Sequence, residues 1–173
     1  MPQKVFGFAG WSGSGKTTLI EQVISHLASS GVRVSLVKHA HHDFDFDIPG
    51  KDSYRHRKAG ASEVLVTSAK RYALIRELRD DPELTFEQSI ARLSPCDLVL
   101  IEGFKRTPIP KLEIWRAEVG KPLLFPTDTN IRGICTDDPL PMQLTEPYGC
   151  RFGLSDIASI AKFATENATA LGA

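Results

Sequence analysis

The chain has 173 residues, 21 lysines and arginines against 21 aspartates and glutamates, and 42% hydrophobic residues. That length suits a single domain, residues 1–173, able to bury about 70% of its unfolded surface without a disulfide or metal staple. A net charge of zero lacks the basic excess from which nucleic-acid and membrane-surface binders draw their affinity, so neither partner is expected.

Cys96, Cys135 and Cys150 are odd in number, far apart and without C-x-x-C spacing, which argues against a disulfide framework or a cysteine zinc site. No apolar run approaches the length of a membrane span, and the first residues reach the first motif too soon for a signal peptide. A reducing cytoplasm is the expected setting.

Val5 to Ala9 is a short apolar run of buried-strand type. It feeds Gly10, Trp11, Ser12, Gly13, Ser14, Gly15, Lys16 and Thr17, which match the phosphate-loop pattern G-x-x-x-x-G-K-[ST] at every specified position. Leu19, Ile20, Val23, Ile24 and Leu27 then recur at helical spacing. Glycines let main-chain amides approach polyphosphate, and the first turn of the helix adds unsatisfied donors. Lys16 can reach the β and γ phosphates, the Thr17 hydroxyl can ligate Mg²⁺, and Thr18 is placed for the α-phosphate.

Gly31 closes the helix, and Val32 to Lys38 reads as a strand. This strand, helix, strand unit predicts a parallel pair with a right-handed crossover, and hence an α/β fold with a doubly wound, mostly parallel sheet of the P-loop NTPase type. The segment from Lys38 to Ala61 carries His39, His41, His42, Asp43, Asp45 and Asp47 just past a strand's carboxyl end, where such sheets place ligands. Three readings stay open there. Asp47 or Asp52 can approach Mg²⁺ from a switch loop, the histidines with Asp43 can hold zinc or nickel, or the loop is simply solvated. Asp52 or Ser53 is expected to cap a short helix through Ala59, with Gly60 as its stop. Its Arg55, His56, Arg57 and Lys58 suit a phosphorylated partner or a solvated face.

Glu63 to Ser68 and Tyr72 to Ile75 read as paired strands, and Thr85 with Gln88 as the capping box of a helix carrying Phe86, Ile90 and Leu93. Asp97 to Gly103 is a buried apolar strand ending in a carboxylate. Glu102 can hold the magnesium's water shell or polarise a water; the plain alternative is a solvated strand-end acid. Leu112 to Trp115 and Ile131 to Thr136 are further strands, with Pro122 to Thr127 extended between them. Pro139, Pro141 and Pro147 mark an irregular connection before Ser155 and Asp156 cap a last helix with Ile157, Ile160, Ala161 and Ala164 on its buried stripe.

Three stretches, AGWSGSGKTT, KHAHHDFDFDIPGKDSYRHRKAGA and DLVLIEGFK with the following PKLEIWR, make the chain resemble the MobB family of molybdopterin guanine dinucleotide biosynthesis. The resemblance runs from the start to about Arg116. It implies a GTP-binding adapter, generally homodimeric, that acts beside the guanylyltransferase MobA, which joins GMP to molybdopterin, and that hydrolyses GTP feebly at most. By position, Gly13 to Thr18 would hold the phosphates, Thr17 and Glu102 the magnesium, and Asp47 would lie at the nucleotide and the metal. Lys51 and the basic helix after it would meet molybdopterin phosphate or the partner enzyme. The N-K-x-D signature for guanine is absent, Thr127 to Asn130 is a poor substitute, and Asp128 or Asp137 is eligible to read the base. A small-molecule kinase using Asp47 with Arg55 or Arg57, and a nickel or zinc delivery GTPase using His39, His41 and His42, are the rival readings.

Overall fold

In a computed structural model, the structure describes residues 3–40, 44–140 and 149–171. His41, His42, Asp43, Pro141 and Pro147 lie outside the described residues. The chain forms two compact units, Met1–His39 with Phe86–Ala173, and Ala40–Thr85.

The first unit is built on a seven-stranded sheet. Its strands are β1 (Lys4–Ala9), β2 (Val34–Lys38), β5 (Leu98–Glu102), β6 (Lys111–Ile114), β7 (Ile131–Cys135), β8 (Cys150–Phe152) and β9 (Thr169–Ala170); β3 and β4 belong to the second unit. The order β2-β5-β1-β6-β7-β8 is parallel throughout, and β9 pairs antiparallel with Lys4 and Val5. The fold is therefore α/β with a mostly parallel sheet.

One expectation is corrected. β1 and β2 run parallel but are not neighbours, because β5 is hydrogen-bonded to both. All five β5 residues are buried, and only an interior position with both faces covered suits so apolar a strand.

Alternation along the strands sorts the core into two faces. Phe6, Phe8, Leu98, Leu100, Leu112 and Ile114 pack with α1 (Lys16–Ser29) and α4 (Ile157–Asn167). Val5, Val99 and Ile101 pack with Phe86 and Ile90 of α3 (Phe86–Ala91). Gly31 follows the end of α1 at φ 81°, and its N–H donates to the Ala28 carbonyl. Asp156 stands at the N-cap of α4, but no side chain bonds the helix there; its carboxylate accepts from the Gly153 N–H instead.

β6 carries the unexpected polar content. Lys111, Glu113 and Trp115 share one face and are all buried. Each grips the segment that returns along the strand. The Lys111 ammonium donates to Asp128 at 2.8 Å, the Glu113 carboxylate accepts from the Leu124 and Phe125 N–H groups at 2.8 Å each, and the Trp115 indole donates to the Lys121 carbonyl at 2.9 Å. Gly7 makes room, since a Cβ there would lie 2.9 Å from the Lys111 stem. The segment expected to be extended is instead turned into a 3₁₀ helix at Phe125–Thr127, because Glu113 draws two consecutive amides to one carboxylate.

The second unit holds α2 (Asp52–Lys58) and the antiparallel hairpin of β3 (Glu63–Thr67) with β4 (Tyr72–Arg76). The hairpin turns through Ser68, whose hydroxyl accepts from the Lys70 and Arg71 N–H groups. Leu65, Val66, Tyr72 and Leu74 are exposed on it.

Burial raises the Glu113 carboxyl above the usual carboxylate range, against the pull of its two N–H donors. The folded chain thus binds this proton more tightly than the unfolded chain, so the group's contribution is largest in acid and declines as pH rises through the raised pKa. Glu113→Ala strands two amide donors and should cost about 2–4 kcal/mol in urea unfolding at neutral pH. Glu113→Gln should cost less and flatten that part of the stability-against-pH curve.

Candidate functional site

The parallel strands deliver their carboxyl ends to one edge of the sheet, the side on which doubly wound folds bind ligands. β1 leads there into Gly10, at φ 145°, where a Cβ would sit 2.4 Å from the Ile114 carbonyl oxygen. Only glycine lets the loop start so close to β6. The turn then closes with the Ser14 N–H donating to the Trp11 carbonyl at 3.2 Å, and Gly15, at φ 88°, opens α1 from a left-handed conformation. Ser14 is 1% exposed, and its hydroxyl has no hydrogen-bond partner among the described residues.

Charge converges on this loop from several elements. The Lys16 ammonium donates to the Trp11 carbonyl at 2.6 Å. Its pKa is lowered, chiefly by burial and further by Lys105 and Lys38, while Glu102 opposes the shift. The Trp11 indole donates to the Pro122 carbonyl at 2.7 Å, and the Lys105 and Lys121 ammoniums lie 5.0 Å and 6.0 Å from its ring centroid. Arg116 braces the loop by donating to the Ser14 carbonyl at 3.3 Å.

Glu102 closes the arrangement. Buried at the end of β5, it accepts from the Thr17 hydroxyl at 2.9 Å and lies 3.5 Å from the Lys38 ammonium. A hydroxyl and a carboxylate side by side are hard oxygen ligands of the kind Mg²⁺ takes together with phosphate and water. Glycine-lined main chain, a buried hydroxyl without a partner and a surplus of ammonium groups fit a polyphosphate.

The family model for MobB, molybdopterin guanine dinucleotide synthesis protein B, matches residues 5–137. The chain belongs to the MobB family. A relative from Escherichia coli (strain K12), named molybdopterin-guanine dinucleotide biosynthesis adapter protein, is 39% identical over 165 residues, covering 94% of this chain and 91% of the relative. A relative of the same name from Haemophilus influenzae is 40% identical over 141 residues, covering 82% and 79%. The crystal structure of Bacillus subtilis MobB superposes with a TM-score of 0.73 over 98% of this chain and 99% of that one. At 24% identity this likeness shows the fold alone, an α/β arrangement on a mostly parallel sheet. The sequence resemblance to MobB is thereby borne out.

Within this MobB-family chain the phosphate-loop residues, Thr17 and Glu102 are brought together. Ser12 and Thr18 are exposed on the same loop and first turn. Lys38, Lys105 and Arg116 escaped the reading as site residues, although each stands at or just past the carboxyl end of a parallel strand, which is the signal that finds them.

Asp47 and Lys51 belong to the second unit. There Asp47 accepts from the Ser53 hydroxyl at 2.7 Å and from the Arg57 Nε at 3.1 Å. Arg57, itself buried, also holds Asp45 through two bonds of 2.8 Å and contacts Glu77. Lys51 is the N-cap of α2. The cap thus falls one residue before the expected Asp52, and Ser53 is diverted to Asp47. His39 packs its ring 4.7 Å from Phe104, and its N–H donates to the Glu102 carbonyl. Asp128 precedes β7, away from the carboxyl edge, and is held by Lys111 and Asn130. Asp137 follows β7 at that edge, is exposed, and accepts from the Leu154 N–H at 2.8 Å.

Arg57→Met leaves Asp45, Asp47 and Glu77 facing one another without their shared guanidinium. Limited proteolysis should then cut faster within residues 40–85, with the thermal unfolding of the sheet unit unmoved. The Arg57 hydrogen bond holds the Asp45 carboxyl below the usual range. Its contribution is therefore present at neutral pH and lost as pH falls through that depressed pKa, so cleavage of the wild type should accelerate in acid.

Proposed function

We propose that the protein binds GTP with Mg²⁺ at the phosphate loop and serves as the adapter for the guanylyltransferase MobA, which joins GMP to molybdopterin. The observation that carries this reading is the Thr17 hydroxyl on the Glu102 carboxylate, 2.9 Å apart beside the glycine turn. Gly10 to Thr18 would hold the phosphates, and Thr17 and Glu102 the metal, which when bound neutralises charge on the outer phosphates. The choice of guanine rests on the family. Asp137 is better placed than Asp128 to read a base, since it stands at the edge where the phosphate loop opens.

Adapter action fits better than phosphoryl transfer to a metabolite. The kinase reading asks Asp47 to activate a hydroxyl, with Arg55 or Arg57 as the phosphoryl clamp, and the Asp47 carboxylate that either clamp would serve is already taken by Ser53 and Arg57. Of the histidines on which the metal-delivery reading depends, His39 packs its ring against Phe104, while His41 and His42 lie outside the described residues. No helix among the described residues is long and apolar enough to cross a membrane, and a cytoplasmic homodimer is the form proposed. The hairpin β3–β4 is a suitable pairing surface, because an isolated two-stranded ribbon with outward Leu65, Val66, Tyr72 and Leu74 gains from a partner. Lys51 and Arg55 remain exposed for contact with the transferase or molybdopterin phosphate.

Competition titration of GTP, ATP and GDP with Mg²⁺ should rank GTP first. Lys16→Ala removes a direct counter-charge and should weaken GTP binding by about 2–4 kcal/mol, read by calorimetry. Unchanged affinity in that variant would displace the site from the loop. Failure of the purified transferase to associate with or without GTP would remove the adapter role.

A further inference from the structure

The loop that follows β5 brings a second ammonium to the phosphate loop. Lys105 stands three residues past Glu102, and its main chain is anchored from below by the buried Lys111 ammonium, which donates to the Lys105 carbonyl at 3.0 Å. Its own ammonium lies 5.0 Å from the Trp11 ring centroid. Trp11 is also the residue whose carbonyl receives Lys16 at 2.6 Å. In this motif the invariant lysine serves the β and γ phosphates, so the Trp11 end of the loop faces the outer end of a bound polyphosphate.

Glu102 faces the Lys38 ammonium and the Thr17 hydroxyl next to Lys16, and Lys105 enters on the stretch just past it. The Lys16 and Lys105 ammoniums both meet Trp11, one at its carbonyl and the other at its ring, and Lys105 and Lys38 each disfavour the charge on Lys16. Lys38 has a partner in Glu102 at 3.5 Å. Lys105 rests on an indole face, a weak interaction worth about 0.5–1 kcal/mol at exposed sites, and its flexible stem can leave that face for a stronger anionic partner.

We propose that Lys105 is a positioning residue for the terminal phosphoryl group, contacting a nucleoside triphosphate and not the diphosphate. This rests on the nucleotide site proposed above and deepens it. Because Lys105 and Glu102 sit on one short stretch, the ammonium and the metal-side carboxylate are delivered together. The loop after β5 thereby distinguishes the two nucleotide states directly. Lys121, 6.0 Å from the same ring centroid, belongs to the segment after β6, held through its carbonyl by the Trp115 indole, and is not on the stretch that carries Glu102.

The test is calorimetric titration of the full chain and its Lys105→Gln and Lys105→Arg variants with GTP and with GDP, each with Mg²⁺. Loss of a charge-assisted contact to the outer phosphate should weaken GTP binding by Lys105→Gln about tenfold or more. GDP affinity should change by less than about threefold, and Lys105→Arg should recover most of the GTP affinity. Equal losses for both nucleotides would make Lys105 a structural support of the loop and overturn the proposal. So would a Lys105→Gln variant indistinguishable from wild type. If the wild type itself binds neither nucleotide, the nucleotide site fails along with this inference; if it binds both and only the selectivity of the variant is missing, this inference fails alone.

Discussion

A single buried carboxylate sets the geometry on which the site depends. Glu102 ends the strand that lies between β1 and β2, in register with Phe8 on one side and Lys38 on the other. Burying that charge is unfavourable unless it is hydrogen-bonded and paired, and Thr17 and Lys38 supply both conditions. The insertion of β5 is therefore a requirement shared by core and site. Its apolar side chains need helices on both faces of the sheet, and its last residue needs the first turn of α1 above it.

A second constraint comes from the opposite neighbour of β1. β6 could have been an apolar strand, yet Lys111 and Glu113 are fully buried in it. Directional bonds from alternate residues specify where the returning segment lies at three heights along the strand, which non-directional apolar contact would leave free to slide. That segment then receives the Trp11 indole through the Pro122 carbonyl. The phosphate loop is consequently fastened twice, to β6 by the close approach of Gly10 to Ile114 and to the returning segment by the indole. A loop so fixed meets an anion without first having to be ordered.

Much of this was legible in the sequence where the signal is local. The glycine turn, the flanking strand and helix, the strand ending in Glu102 and the β3–β4 hairpin all follow from short patterns with a mechanical reason. What escaped was set by partners distant in the chain. Nothing between Ala9 and Val34 announces that β5 will separate β1 from β2. Lys111 looks like a loop residue until Asp128 and Gly7 are in view. β8 and β9 are three and two residues long, too short to show a period. Asp47 carries the motif signature of a site residue, yet its partner ten positions later, Arg57, draws it into an ion-pair hub.

That hub explains how the smaller unit holds its form. Residues 40–85 place Phe44, Phe46, Ile48, Leu65, Val66, Tyr72 and Leu74 outward, so apolar burial cannot be its organising force. A buried guanidinium bound by three carboxylates occupies the position that an apolar cluster fills elsewhere. Arg57 offers five donors in a fixed plane, and Asp45 and Asp47 from one stretch and Glu77 from another accept from it, tying the segment before α2 to the strand end after the hairpin. Such a core specifies geometry while leaving the apolar side chains unspent. A unit of that kind is suited to meeting another surface, whereas the sheet unit turns its apolar residues inward and reserves its exposed edge for charge.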